Sequence, residues 1–216
     1  NGFAPEFDHH TMVYRPLFTT SFVLDDYFAD NDFFNADSVI LGSASSKTAF
    51  GLAFMLHRRG GKKVVGLTSQ SNKDFVEKLG IYDEVLCYDE VENLADEPSA
   101  YIDMAGNKEG LARVPPHLRE NLVNSCSVGI THWDARQGED PTSLPGASPT
   151  MFFAPSQIVK RNKELGPEVY QQRITQATDA FFAVVDNWVS IQEAPLNEVE
   201  QVYRTVLKGP APNIGY

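Results

Sequence analysis

Cysteine is scarce: Cys87 and Cys126 are the only two in 216 residues, which excludes a disulfide framework. Each stands in an apolar run of strand character, so both read as buried, reduced thiols. The five histidines, His9, His10, His57, His117 and His132, form no Cys-x-x-Cys or His-x-x-x-His pairing with them, and no metal site is expected. Long apolar runs are also missing. No stretch is long enough to cross a bilayer and no signal peptide is visible, so the chain reads as a cytoplasmic protein without a membrane partner. Basic residues are in deficit, with 18 Lys and Arg against 29 Asp and Glu and a formal net charge of −11. That balance opposes binding to nucleic acid or anionic lipid. A local group of donors can still hold one small anion, because nearby groups and dipoles set the field of a site.

What is present is ordinary globular composition, 42% hydrophobic and 22% charged, enough for one substantial core. Residues 1–36 read as an N-terminal extension with a packing helix, and residues 37–216 as one main domain with a C-terminal extension. The chain begins at Asn1 without Met, which raises the expectation of a further segment upstream or a processed terminus. Asn1 to Arg15 is polar-aromatic and reads as irregular. Phe18 to Phe34 suits an amphipathic helix on a sheet.

From Ser38 onward, strands and helices alternate. Strands are predicted at Ser38–Leu41, Lys63–Thr68, Glu84–Tyr88, Ala100–Asp103 and Ser125–Ile130, with helices over Thr48–Arg59, Lys73–Leu79 and Gly110–Glu120 between them. The polar, Pro-containing stretch from Trp133 to Thr150 reads as a surface excursion. Helices over Pro155–Leu165, Glu168–Val185 and Asn197–Leu207 follow, with a short strand at Trp188–Gln192. Near-continuous apolar strands alternating with helices predict an α/β fold, a doubly wound parallel sheet of Rossmann-like type covered on both faces. Ligands of such sheets sit beyond the carboxyl ends of the strands.

The first such end carries Gly42, Ser43, Ala44, Ser45, Ser46, Lys47 and Thr48 at the start of a helix. Backbone N–H groups there suit a phosphate, and small side chains admit a pyrophosphate. The turn is poor in glycine, and a plainer reading, serines that cap a helix, stands beside this one. A P-loop is one residue short and has Ser46 in place of its Gly. Neither this turn nor Ser125–Gly129 supplies both glycines of a hydrolase elbow, which leaves a Ser45–His132 hydrolase a distant alternative.

The second strand ends in Thr68, Ser69, Gln70, Ser71, Asn72 and Lys73. A site for NAD commonly offers Asp or Glu here to the ribose hydroxyls. Along this stretch no acid opposes a 2′-phosphate, and Ser69, Ser71 and Lys73 can donate to one. The plainer reading is a capped helix with a solvated Lys73.

The segments Ser38–Ala49, Gly66–Ser69, Leu79–Asp83, Leu86–Tyr88, Asp103–Gly106 and Val128–Gly129 occur in the order seen in quinone-reductase-like medium-chain dehydrogenase/reductases. The chain resembles in particular a subgroup catalogued as a domain of unknown function that carries the Ser-Ser-Lys-Thr-Ala turn. The resemblance covers Ser38 to Leu165. It implies that Gly42 to Thr48 hold the pyrophosphate, Thr68 to Lys73 the adenosine ribose and its phosphate, and Tyr88 the adenine side. Asp103, Met104, Ala105 and Gly106, with Gly129 and Thr131, would lie near the nicotinamide, and His132 beside them is the candidate catalytic residue. Lys47, usually apolar in the family, faces either a phosphate or solvent.

The resemblance further implies a barrel-like substrate domain, which these residues do not contain, and homodimers formed through the cofactor domain. The expected function is NADP(H) binding in a zinc-independent oxidoreductase that passes hydride to a carbonyl or activated alkene. The alternative is a non-catalytic nucleotide-binding or interaction module. The small-molecule substrate stays unassigned.

Overall fold

The computed structural model describes residues 8–129 and 145–216. Short apolar runs become the sheet. Ser38–Leu41 (β1) is buried at every position and pairs in parallel with Lys63–Thr68 (β2) on one side and Ser99–Asp103 (β4) on the other. Glu84–Cys87 (β3) extends the sheet beyond β2, and Leu122–Ser127 (β5) extends it beyond β4. Pro149–Met151 (β6) closes the order as β3-β2-β1-β4-β5-β6. All the pairings are parallel, so the sheet reverses its winding between β1 and β4.

β6 lies in the stretch read from sequence as a surface excursion, and that reading is corrected at its end. The strand has three residues and begins with Pro149, which an edge position tolerates because it needs only one row of partners. No apolar alternation marks it. β5 begins at Leu122 rather than Ser125, directly after the turn Arg119–Asn121.

One face of the sheet carries Lys47–Arg59 (α2) and Asp8–Asp30 (α1), with Pro167–Val185 (α6) packed on them. Its centre is aromatic: Phe18 and Phe181 stack with centroids 4.4 Å apart, and Phe50, Phe54 and Trp188 surround Phe181. The segment read as irregular up to Arg15 is helical from Asp8. Pro16 obscures that helix in the sequence, but buried Tyr14, Phe18, Ser21, Leu24, Asp25 and Phe28 keep helical spacing across it.

Three carboxylates of α1 tie this layer together. Asp25, with a side chain 2% exposed, takes both arms of Arg59 at 2.9 and 2.6 Å. Asp26 takes Arg161 of Ala154–Leu165 (α5) at 2.8 and 3.0 Å, and Asp30 takes Lys160.

The opposite face buries Ile40, Val65, Leu67, Tyr88, Tyr101, Val114 and Leu118 under Lys108–Leu118 (α4). Lys73–Lys78 (α3) connects β2 to β3. At the C-terminus, Ser190–Ile191 (β7) pairs with Ile214–Gly215 (β8), and Val199–Leu207 (α7) lies between them. β8 is too short for a period of two to register. Among the described residues no helix is long and apolar enough to cross a membrane.

Candidate functional site

The crevice lies where the strand order reverses, beyond the carboxyl ends of β1 and β4. Its floor is the turn from Gly42 to Ser46. Gly42 N–H donates to the Ile102 carbonyl (2.9 Å) and Ala44 N–H to the Leu67 carbonyl (2.9 Å), which fasten the turn across the sheet. The Tyr82 hydroxyl donates to the Ala44 carbonyl at 2.9 Å. Ser43 adopts φ of 53°, and its N–H donates to the Tyr88 hydroxyl at 2.7 Å. Ser46 caps α2 by accepting from Ala49 N–H at 3.3 Å. The capping reading is therefore true of Ser46. It leaves Lys47 and Thr48 with first-turn N–H groups that have no acceptor inside the helix.

Gly42 has a different task from the one its place in the turn suggests. A Cβ there would sit 2.8 Å from the Tyr101 hydroxyl, and one at Gly110 of α4 would fall on the same oxygen. The two glycines make room for a phenol at the base of the crevice. Tyr101 is fully buried and its hydroxyl has no hydrogen-bond partner among the described residues. Burial, with the Asp103 carboxylate next, pushes the Tyr101 pKa well above the usual phenol range.

Gly110→Ala is thus expected to cost about 2 kcal/mol through overpacking, although alanine ordinarily favours a helix. In a Tyr101→Phe background, where the obstructing oxygen is gone, most of that cost should vanish. Urea unfolding of the single and double variants measures the coupling, and additive effects would contradict this account of the glycines.

The reading of Lys47 as a side chain pointing into solvent is corrected. Its Nζ donates to the Ile214 carbonyl of β8 at 2.8 Å, and burial lowers its pKa. This bond fastens the C-terminal strand to the start of α2.

The residues expected on the adenosine side gather at the end of β2. Asn72 donates to the Ser45 hydroxyl at 3.0 Å and so joins this segment to the turn. The Ser69 and Ser71 hydroxyls lie 3.0 Å apart on exposed residues. Thr68 is buried, and its hydroxyl has no partner among the described residues.

Lys73 is not simply solvated. Its Nζ meets Glu90 Oε2 at 2.7 Å, and the same oxygen accepts from Cys87 N–H at 2.8 Å. The absence of an acid holds along Thr68–Lys73 but fails in space, because the turn after β3 brings Glu90 across. The Cys87 amide and then Lys73 hold the Glu90 pKa below the usual carboxylate value. The Glu90 hydrogen bond raises that of Lys73. A Glu three residues after a strand end fits half of a capping box, and this signal was readable.

The loop after β4 is organised by Asp103. Its Oδ1 accepts from the N–H groups of Ala105 (3.2 Å), Gly106 (3.0 Å) and Asn107 (3.2 Å), and Asn107 then caps α4 through Gly110 N–H (2.9 Å). Met104 is buried, and Gly129 approaches its carbonyl closely enough that a Cβ would lie 2.7 Å away. The loops after β4 and β5 thereby share one end of the crevice. Thr131 and His132 lie outside the described residues. The thiols of Cys87 and Cys126 are both buried and free, and desolvation pushes Cys126 up to about 12.

This sheet order and crevice define a doubly wound, Rossmann-like α/β domain. The chain belongs to the family described as protein of unknown function (DUF2855), whose profile matches residues 3–212. Among solved structures it is similar to the yhdH oxidoreductase from Salmonella enterica in complex with NADP. That match has 15% identity and a TM-score of 0.57, and covers 90% of this chain and 58% of the other. CurA from Vibrio vulnificus in complex with NADPH matches at 16% identity and a TM-score of 0.60, over 97% and 64%. Bacillus subtilis yhfP with NAD bound matches at 17% identity and a TM-score of 0.52, over 92% and 60%. The chain spans less than two thirds of the length of each. No curated protein matches it.

Proposed function

We propose that the chain is the cofactor-binding domain of an NADP(H)-dependent, zinc-independent oxidoreductase that reduces a carbonyl or an activated alkene. The observation that carries this is one continuous band of donors. It runs from the first-turn N–H groups of Lys47 and Thr48, through the Asn72–Ser45 bridge, to Ser69, Ser71 and Lys73. A band of that chemistry suits a diphosphate at one end and a phosphorylated ribose at the other. The unpartnered Thr68 hydroxyl adds a donor that a ribose oxygen or water can satisfy.

A bound nicotinamide dinucleotide would supply the hydride. The chain's own part is to bind and orient: the turn holds the diphosphate, and the Asp103-ordered loop with Gly129 borders the nicotinamide end. NADP and NADPH in two of the similar structures support this reading, and NAD in the third keeps the choice of dinucleotide a separate question.

A second reading, a nucleotide-binding or interaction module without catalysis, draws on Ser43 N–H and Lys73, which already have protein partners. Fluorescence titration of the chain with NADPH decides between a working cofactor site and its loss. Saturable binding at micromolar concentration is expected. No saturable binding by folded protein would overturn the cofactor reading.

A further inference from the structure

We propose that Glu90, reaching across from the turn after β3, sets which dinucleotide the crevice prefers by competing with a 2′-phosphate for Lys73. This rests on the reading of the crevice as a dinucleotide site. Two independent bonds hold the Glu90 carboxylate: the Lys73 ammonium at 2.7 Å and the Cys87 backbone N–H at 2.8 Å. The backbone bond keeps the carboxylate in place whether or not Lys73 stays. Glu90 and Lys73 are 36% and 21% exposed, so the pair can be reached from solvent. The exposed hydroxyls of Ser69 and Ser71 stand on the same segment as Lys73. The buried, unpartnered Thr68 hydroxyl marks the strand end as a place where a polar ligand has something to satisfy.

The competition follows from charge. A ribose with a free 2′-hydroxyl is neutral, leaves the Lys73–Glu90 pair intact and can donate to the carboxylate. A 2′-phosphate brings up to about two negative charges and gains Lys73 only by drawing the ammonium from Glu90. An anion then remains beside the phosphate, held by the Cys87 amide. Glu90 thus moderates a preference that Ser69, Ser71 and Lys73 would otherwise push fully toward the phosphorylated cofactor.

The test is the ratio of Kd for NADH to Kd for NADPH in the parent chain, Glu90→Gln, Lys73→Ala and the double variant. Glutamine still accepts from Cys87 N–H, so the turn is retained while the charge is lost. The ratio should rise about tenfold in Glu90→Gln, the equivalent of one charge-assisted hydrogen bond released to the phosphate. With Lys73 already removed, Glu90→Gln should leave the ratio within twofold.

Calorimetric titration with 2′,5′-ADP and 5′-AMP, which differ only by the 2′-phosphate, repeats the comparison without any nicotinamide. A ratio insensitive to Glu90→Gln in a parent that binds either dinucleotide overturns this inference and leaves the cofactor reading standing. A parent that binds neither overturns both. Partial unfolding does not imitate the result, because it scales both affinities alike.

Discussion

Ser46→Asp should bind NADPH about a hundredfold more weakly than the parent while unfolding at the same temperature or a few degrees higher. Aspartate caps a helix as well as serine does, and its charge favours a helix N-terminus by about 0.3–1 kcal/mol. The cap that Ser46 provides to Ala49 N–H is therefore kept. A carboxylate there would, however, compete with a diphosphate for the N–H groups of Lys47 and Thr48 and repel it. A loss of about 2.7 kcal/mol, the worth of one or two charge-assisted hydrogen bonds, corresponds to that hundredfold. The variant separates the two roles of the turn. If its serines only cap α2, ligand affinity moves by less than threefold, and the diphosphate must be assigned elsewhere.

The largest effect on stability is expected at the far end of the same helix. Arg59→Ala leaves the Asp25 carboxylate, 2% exposed, without its two-armed partner inside the α1–α2 layer. Arg59 is itself 41% exposed, but stranding the buried Asp25 carboxylate costs about 3 kcal/mol. For a chain of this size that lowers Tm by about 6–12 °C. Replacing both members, as Asp25→Leu with Arg59→Met, should recover most of the loss, because no charge is then stranded. Arg59 ends α2, a helix of 13 residues, so it stands roughly 20 Å from the Ser46 turn. Below the melting transition the NADPH affinity of Arg59→Ala should match that of the parent. A weakened affinity in fully folded protein would mean that the ion pair positions the crevice as well as the core.

The two positions show what was legible. β1 and β2 run over Ser38–Leu41 and Lys63–Thr68, where the apolar runs and their Gly boundaries placed them. α2 begins within one residue of its expected start, because Ser46, the apolar face and Gly60 all act locally. β6 and β8 were not legible, being two or three residues long and made only by pairing with strands already in place. The first half of α1 was hidden by Pro16. A proline marks a break in an isolated segment, whereas here burial of Tyr14 and Phe18 under Phe181 carries the helix through it.

In the crevice the division is sharper. Residue order alone determined a doubly wound sheet with Gly42–Thr48, Thr68–Lys73 and Asp103–Gly106 at its strand ends. Alternating periods of hydrophobicity and the handedness of crossovers leave little other choice. Only the tertiary structure decided what each donor faces: Lys47 the Ile214 carbonyl, Ser43 the Tyr88 hydroxyl, Lys73 the Glu90 carboxylate. Those partners stand 167, 45 and 17 residues away along the chain. Parallel strands bring the ends of β1, β2 and β3 together on one edge of the main sheet, and the separate β7–β8 pair carries Ile214 to the start of α2. The charge at a binding site is therefore a property of the assembled edge, and no single stretch of chain contains it.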